Sequence, residues 1–148
     1  MLHWSEQFET GDALIDSQHR MLITYFNSLS EVSRSTNLSP EEIGLLLRFI
    51  EFLEDYMIMH FKAEENCMNR FRCPAYHDNK RAHTEFLDFF RSFKLRLDSL
   101  GCRPELVKEL QVSCNAWIKH HILRIDVQLK ASLAKTDRPE EGEQNELR

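Results

Sequence analysis

The sequence predicts an all-α protein, an antiparallel up-down-up-down four-helix bundle with an amino-terminal arm laid across it. Only 4 glycines and 4 prolines interrupt the 148 residues, and 42% of the residues are hydrophobic, which suits one compact core. Between these interruptions, apolar residues recur at alternating spacings of three and four, as on one face of a helix. Four such stretches follow one another through short connections, and short connections favour antiparallel neighbours.

The first two helices have recognisable starts. We expect Asp16 to cap the first helix, which then runs to about Arg34. For the second helix, Ser39 is the expected N-cap, Pro40 lies in the first turn and Glu42 completes a capping box. The inward stripes are His19, Leu22, Phe26 and Leu29 on the first helix and Leu46, Ile50, Leu53, Met57, His60, Glu64 and Met68 on the second.

The third helix is expected from about Asp78, after the break at Pro74, to a stop at Gly101, and the fourth begins at Pro104. Their inward stripes are His83, Phe86, Phe90, Phe93 and Leu97, then Leu110, Cys114, Trp117, His121 and Ile125. We assign residues 1–134 to one domain and residues 135–148, "KTDRPEEGEQNELR", to a polar tail or linker without stable structure.

Composition narrows the range of partners. The formal net charge is -5 with acids and bases interspersed, so we expect no nucleic-acid partner. The sequence shows no secretory leader and no apolar run of roughly 20 residues, so we expect no membrane contact from this domain. The 4 cysteines form no C-x-x-C pair, which is compatible with free thiols and a cytoplasmic location.

The informative polar residues lie on stripes that should be apolar: His19, His60, Glu64, His83 and His121. A single buried histidine is usually a hydrogen-bonded core residue. Here, however, each of the four helices contributes one, and a buried polar group without a partner costs about 1–3 kcal/mol. One or two metal ions would satisfy the whole cluster, whereas the alternative is a metal-free bundle with a hydrogen-bonded polar core.

Helical spacing selects among the polar residues. His60 and Glu64 are four residues apart and share a face, whereas Glu65 projects elsewhere. His120 lies on a polar stripe and should face solvent, while His121 faces the core. Asp126 is poorly aligned with His121 on an ideal helix, so it is either a solvated acid or a carboxylate that bridges two metals. Imidazole and carboxylate ligands suit iron, zinc or manganese rather than calcium or magnesium.

Four segments in this order resemble the hemerythrin family, particularly the bacterial hemerythrins, over Trp4 to about Leu129: "GDALIDSQH", "HFKAEENCM", "HTEF" and "WIKHHILRID". The resemblance implies two iron ions in Fe2+ or Fe3+ states with an oxo or hydroxo bridge, and O2 or small anions as ligands. It also implies that Glu64 and Asp126 bridge the irons. His19 and His60 are then assigned to the iron that binds O2, and His83 and His121 to the other.

The sequence departs from the family at one position. The family's third helix carries H-x-x-x-H, whereas this chain has "NKRAH", with Asn79 where a histidine is expected. An amide oxygen is a poorer ligand for iron than an imidazole nitrogen, so we expect water or an open position there. His77 could substitute only if the third helix begins after it, and otherwise it is a loop histidine.

The altered ligand set favours an O2- or redox-sensing domain over a carrier, because a missing strong ligand should promote autoxidation. The resemblance suggests a fused carboxyl-terminal signalling output such as a diguanylate cyclase, or a chemoreceptor, so we expect no catalysis by this domain itself. The alternatives are a free-standing O2 carrier or store and a di-iron oxidase, peroxidase or ferroxidase. The absence of ferritin-like E-x-x-H pairs disfavours the enzyme.

Overall fold

The structure, a computed structural model, describes residues 1–136. These residues form helices and turns without any strand, and the predicted four-helix bundle is confirmed. Helix α1 packs mainly against α4, and α2 against α3. Two 3-10 turns, Glu6–Phe8 and Asp126–Gln128, flank the bundle helices, and the helices are α1 Ala13–Ser33, α2 Pro40–Arg70, α3 Tyr76–Leu100, α4 Pro104–Arg124 and a short α5 Leu129–Thr136.

Helix α1 begins earlier than the sequence suggested. Asp12 is its N-cap, and its carboxylate accepts a hydrogen bond from the Ile15 amide at 2.9 Å. The prediction that Asp16 caps this helix is wrong, because Asp16 is a buried first-turn residue with a different partner. Its Oδ1 accepts hydrogen bonds from the Thr10 amide at 2.9 Å and the Thr10 hydroxyl at 2.8 Å. Asp16 therefore fastens the amino-terminal arm to α1.

The other predicted boundaries are close to those observed. Ser39 and Glu42 form the expected capping box at the start of α2, and Pro40 is in its first turn. Helix α3 starts at Tyr76, two residues before the expected Asp78, and ends at Leu100, with Gly101 as its C-cap at a φ of 85°. A positive φ is accessible to glycine at little cost, which explains the residue found at this stop.

The core is built from the predicted stripes, which are buried except for half-buried Trp117 and Ile125 on α4. The amino-terminal arm covers part of this core, with Phe8 only 1% exposed. Near the start of the arm, the Leu2 amide donates to Asn27 Oδ1 at 3.1 Å, and Asn27 Nδ2 donates back to the Leu2 carbonyl at 2.7 Å. The arm is thus an integral part of the packed domain.

Helix α4 ends at Arg124, where the chain tightens into the 3-10 turn and continues as α5. Helix α5 was not foreseen, and it extends to Thr136, past the expected domain end at residue 134. The remainder of the expected tail, residues 137–148, lies outside the described residues, so the division into domain and tail stays a prediction. Within residues 1–136, no helix is long and apolar enough to cross a membrane.

Candidate metal centre

A buried polar cluster lies inside the bundle, and each of the four main helices contributes to it. Its imidazoles are at most 4% exposed, and its two carboxylates at most 1%. The possible ligand atoms form two overlapping groups, each with all its atoms within 4.8 Å of one another. The first group is His19, His60 and Glu64, and the second is Glu64, His83, His121 and Asp126.

Glu64 lies between the two halves and directs one carboxylate oxygen toward each. Its Oε2 is 2.8 Å from His19 Nε2 and 3.2 Å from His60 Nε2. Its Oε1 is 3.2 Å from His83 Nε2 and 2.9 Å from Asn79 Nδ2. The i, i+4 spacing of His60 and Glu64 does place both on one face of α2, as expected.

Asp126, which follows α4, also directs one carboxylate oxygen toward each half of the cluster. Its Oδ2 lies 3.1 Å from His19 Nε2, and its Oδ1 lies 3.1 Å from His121 Nε2. The poor helical alignment noted for Asp126 does not apply, because α4 ends at Arg124 and the 3-10 turn directs the carboxylate inward. Asp126 is 1% exposed, which excludes a solvated surface acid.

The arrangement fits a pair of transition-metal ions. Neighbouring ligands at right angles around a metal with bonds of about 2.1 Å are separated by roughly 3 Å. The imidazole and carboxylate atoms are spaced in this way, at 2.8–3.2 Å across the contacts of Glu64 and Asp126 with His19, His60, His83 and His121. Both Asp126 oxygens are buried without a well-aligned hydrogen-bond donor in the described part of the chain. A buried charge without such donors is costly unless a cation compensates it.

Asn79 is completely buried within the second half of the cluster. His121 Nε2 donates to Asn79 Oδ1 at 2.7 Å, and Asn79 Nδ2 donates to Glu64 Oε1 at 2.9 Å. The same amide nitrogen is 3.2 Å from the Met68 sulfur. The side chain therefore offers the cluster one neutral oxygen and restrains the central carboxylate.

Two other histidines lie outside the cluster. His77 could reach a metal only if α3 began after it, but α3 begins at Tyr76. His77 is therefore helical, and it is exposed to solvent. His120 is also exposed, as expected, and its Nε2 is 3.2 Å from Arg124 Nη1. Neither ring contributes to the two groups of possible ligand atoms.

Supporting contacts orient the imidazoles, and the sequence analysis missed them. His60 Nδ1 is 2.7 Å from Gln18 Oε1, and His83 Nδ1 is 2.9 Å from Glu65 Oε2. A partner on the second ring nitrogen fixes which nitrogen faces the metal, and it raises the basicity of the ligand. Gln18 directly precedes His19, and Glu65 directly follows Glu64. Their contacts reach across to another helix, so the spacing of residues along one helix does not reveal them.

Aromatic rings enclose the second half of the cluster. Phe61 stacks on His83 with ring centroids 3.9 Å apart, and Trp117 stacks on His121 at 4.4 Å. Trp117 also stacks on Phe86 at 4.0 Å. These contacts hold the two imidazoles in fixed planes and surround them with apolar surface.

The protonation of the metal-free cluster follows from its charges. Burial favours neutral imidazoles, but nearby Asp126 and Glu64 outweigh it and raise the pKa of His19 to about 10 and that of His121 to about 9. Burial lowers the pKa of His60. Burial also favours a neutral Glu64, yet the surrounding imidazoles hold its pKa well below the usual range. Protons thus balance the carboxylates when metal is absent.

Comparison with known proteins identifies the same arrangement of helices elsewhere. Residues 10–133 match the model of the "Hemerythrin HHE cation binding domain" family. The chain is 28% identical to a myohemerythrin of Sipunculus nudus over 88% of its own length and 92% of that protein. It is 28% identical to a bacteriohemerythrin of Stenotrophomonas maltophilia over 82% of its own length and 74% of that protein. A crystal structure of wild-type hemerythrin shares the fold, with a TM-score of 0.73, 19% identity, and coverage of 90% of this chain and 98% of that one.

Proposed function

Because this chain belongs to the hemerythrin family of cation-binding domains, we propose that its buried cluster holds two iron ions and that the domain senses O2 or redox state. His19 and His60 would hold one ion, and His83 and His121 the other. Glu64 and Asp126 would contact both, since each directs one oxygen toward each half. When bound, iron supplies O2 binding linked to electron transfer between its Fe2+ and Fe3+ states.

The sensing proposal rests on one observation, the placement of the Asn79 amide inside the cluster. This amide occupies the position where the family pattern has a histidine, and it faces His121 and Glu64 rather than solvent. A neutral amide oxygen binds iron more weakly than an imidazole nitrogen does. The second half of the centre therefore has one strong ligand fewer, and water or a small anion can compete for that position.

One route for a small ligand lies beside the second half of the cluster. A surface cleft of about 370 Å³ between α3 and α4 reaches His121 beside Trp117, with Arg81 and Arg124 at its polar rim. Elsewhere, Phe61 and Trp117 cover His83 and His121 with aromatic surface. The cleft has room for O2 or a small anion beside His121, and the two guanidinium groups favour an anion.

Easy ligand exchange at this position favours loss of the Fe2+ form in air, which harms a carrier but not a sensor. A change of ligation would alter the positions of the helices that supply the ligands, and α4 continues through Asp126 into α5. We propose that this change reaches a carboxyl-terminal signalling output, such as a diguanylate cyclase, and that the present domain has no catalytic step of its own. The gene sequence downstream of Arg148 tests the fusion directly.

The experiment for sensing compares wild type with Asn79→His. Both proteins are reduced and loaded anaerobically, their iron content is measured, and visible spectra are followed after exposure to air. We expect two irons per chain in each, rapid oxidation of the wild type, and slower oxidation with a longer-lived oxygenated form in the variant. Equal oxidation rates would remove Asn79 from the proposal.

The same samples separate the competing functions. A wild-type spectrum that cycles reversibly between oxygenated and deoxygenated forms many times identifies a carrier or store. Sustained turnover of peroxide or ferrous iron well above that of free iron identifies an oxidase, peroxidase or ferroxidase. Rapid, complete oxidation without turnover supports the sensor.

A further inference from the structure

Helix α2 carries a second apolar stripe beside the core-facing one, with Phe49 and Tyr56 half-buried against the core and the other members exposed. Its members follow one another at spacings of four, three, four and three, which is the repeat of a coiled-coil seam. Phe52 is 44% exposed, Leu45 63% and Met59 45%, although each lies beside a buried core position. We call the stripe the α2 seam, and it consists of Leu45, Phe49, Phe52, Tyr56 and Met59.

The α2 seam continues onto α1 as an aromatic surface. The Tyr25 ring lies 5.1 Å from the Phe52 ring and 5.3 Å from the Tyr56 ring, both nearly edge to face. Met21, one turn earlier on α1, is 38% exposed. The core does not require these exposed side chains, and a contiguous apolar patch on a protein surface commonly marks an interface.

Four charged residues flank the α2 seam at intervals of seven, and their signs alternate. Glu41, Arg48, Asp55 and Lys62 are all exposed on the solvent side of the helix. None of the four pairs with an opposite charge inside the domain, among the ion pairs of residues 1–136. Flanking charges of this kind select partner and orientation in coiled coils.

We propose that the α2 seam is the interface of a homodimer in which two copies of α2 pack antiparallel about a two-fold axis near Phe52. In that register Leu45 lies opposite Tyr56 of the second copy, and Phe49 opposite Phe52. Arg48 faces Asp55 of the second copy, and Glu41 faces Lys62. A two-fold axis repeats every contact, so all four flanking charges of each chain find an opposite charge.

The charge order identifies a second copy as the occupant rather than an unrelated helix. The alternating signs are complementary to themselves only when the helix direction is reversed. In a parallel pair, the flanking charges would lie beside Leu46, Leu53 and His60 of the second copy, which are buried in its own core. Antiparallel pairing therefore satisfies the apolar stripe and the charges together.

The test measures the mass of the full chain by sedimentation equilibrium over a wide concentration range at low ionic strength. We expect wild type to dimerise and Phe52→Glu to be monomeric. Arg48→Glu or Asp55→Arg alone converts two symmetric attractions into repulsions, which should weaken the dimer about tenfold or more. The double variant Arg48→Glu with Asp55→Arg restores opposite charges across the axis and should recover the wild-type dissociation constant.

Leu95→Glu is the matched control, because Leu95 is 67% exposed on α3, outside the α2 seam, and its substitution should leave dimerisation unchanged. All substituted side chains are exposed, and circular dichroism verifies that each variant is folded. A wild type that remains monomeric at the highest concentration overturns the proposal. A double variant that dimerises no better than the single variants also overturns it, since the antiparallel charge register would then be wrong.

Discussion

Replacing Glu64 with glutamine perturbs the centre of the cluster with almost no change of shape. The Glu64 carboxylate accepts close contacts from His19 at 2.8 Å, His60 at 3.2 Å, His83 at 3.2 Å and Asn79 at 2.9 Å. A glutamine has one acceptor oxygen, so its amide nitrogen must face donors in one half of the site. Glu64→Gln therefore removes a charge and also introduces a mismatched hydrogen bond.

The size of the effect follows from the burial of the group. Removing one partner of a buried ion pair typically costs about 3–5 kcal/mol, because the remaining charge is left uncompensated. Asp126 also stabilises protonated His19, at 3.1 Å, which limits the loss. We expect the metal-free variant to lose about 3 kcal/mol of unfolding free energy at pH 7, a large part of the roughly 5–15 kcal/mol typical of a domain. Metal loading should fall below that of wild type.

Urea unfolding of the metal-free proteins measures the free-energy change, and metal analysis after loading measures the stoichiometry. Glu85→Gln is the control, because it makes the same chemical change at an exposed position of α3. This substitution should alter the free energy of unfolding by less than about 0.5 kcal/mol. A loss below about 1 kcal/mol for Glu64→Gln, with wild-type metal content, would refute the central position assigned to this carboxylate.

Three further predictions concern Gln18, the protonation of the cluster and the ion pairs of Glu54. Gln18→Leu removes the partner of His60 Nδ1 and should lower the affinity of the first half for metal about tenfold or more, measured by competition with a chelator, while the total helix content stays constant. Without metal, the pKa values of His19 and His121 are about 10 and 9, so both rings are protonated at pH 7. Metal uptake should therefore release protons into a weakly buffered solution, and the affinity for metal should rise between pH 6 and 8. Metal uptake without proton release would contradict this prediction. Burial opposes ionisation of Glu54, but Lys94 and Arg91 outweigh this effect and lower the pKa of Glu54. In urea unfolding at neutral pH, wild type should be more stable than Glu54→Gln by about 1 kcal/mol, and this difference should vanish as the pH falls below the pKa of Glu54. A difference that persists at pH 2 would be inconsistent with an ion pair.

The periodicity of the sequence was sufficient to predict the four main helices and the direction of most site residues. His120 and His121 are adjacent, yet the polar stripe before His120 correctly predicted which of them is exposed. His60 and Glu64 share a helix face because a separation of four residues returns nearly to the same side. These predictions rest on local geometry, which the spacing of residues along one helix determines.

Features that depend on where a helix stops were harder to predict. Asp126 lies inside the site because α4 ends at Arg124, and neither a proline nor a glycine marks that end. Asp12 caps α1 in place of Asp16 because Asp16 already binds Thr10 of the arm, a contact that sequence spacing does not reveal. The supporting roles of Gln18 and Glu65 likewise depend on packing between helices.

The most direct test of the central claim is anomalous diffraction at the iron absorption edge from crystals of the full chain loaded with iron under anaerobic conditions. Two anomalous peaks are expected within the cluster, one contacting His19 and His60 and the other contacting His83 and His121. Glu64 and Asp126 should each contact both. A cavity that contains only water and side-chain hydrogen bonds, or a single peak outside these groups, would contradict the assignment of a two-metal centre.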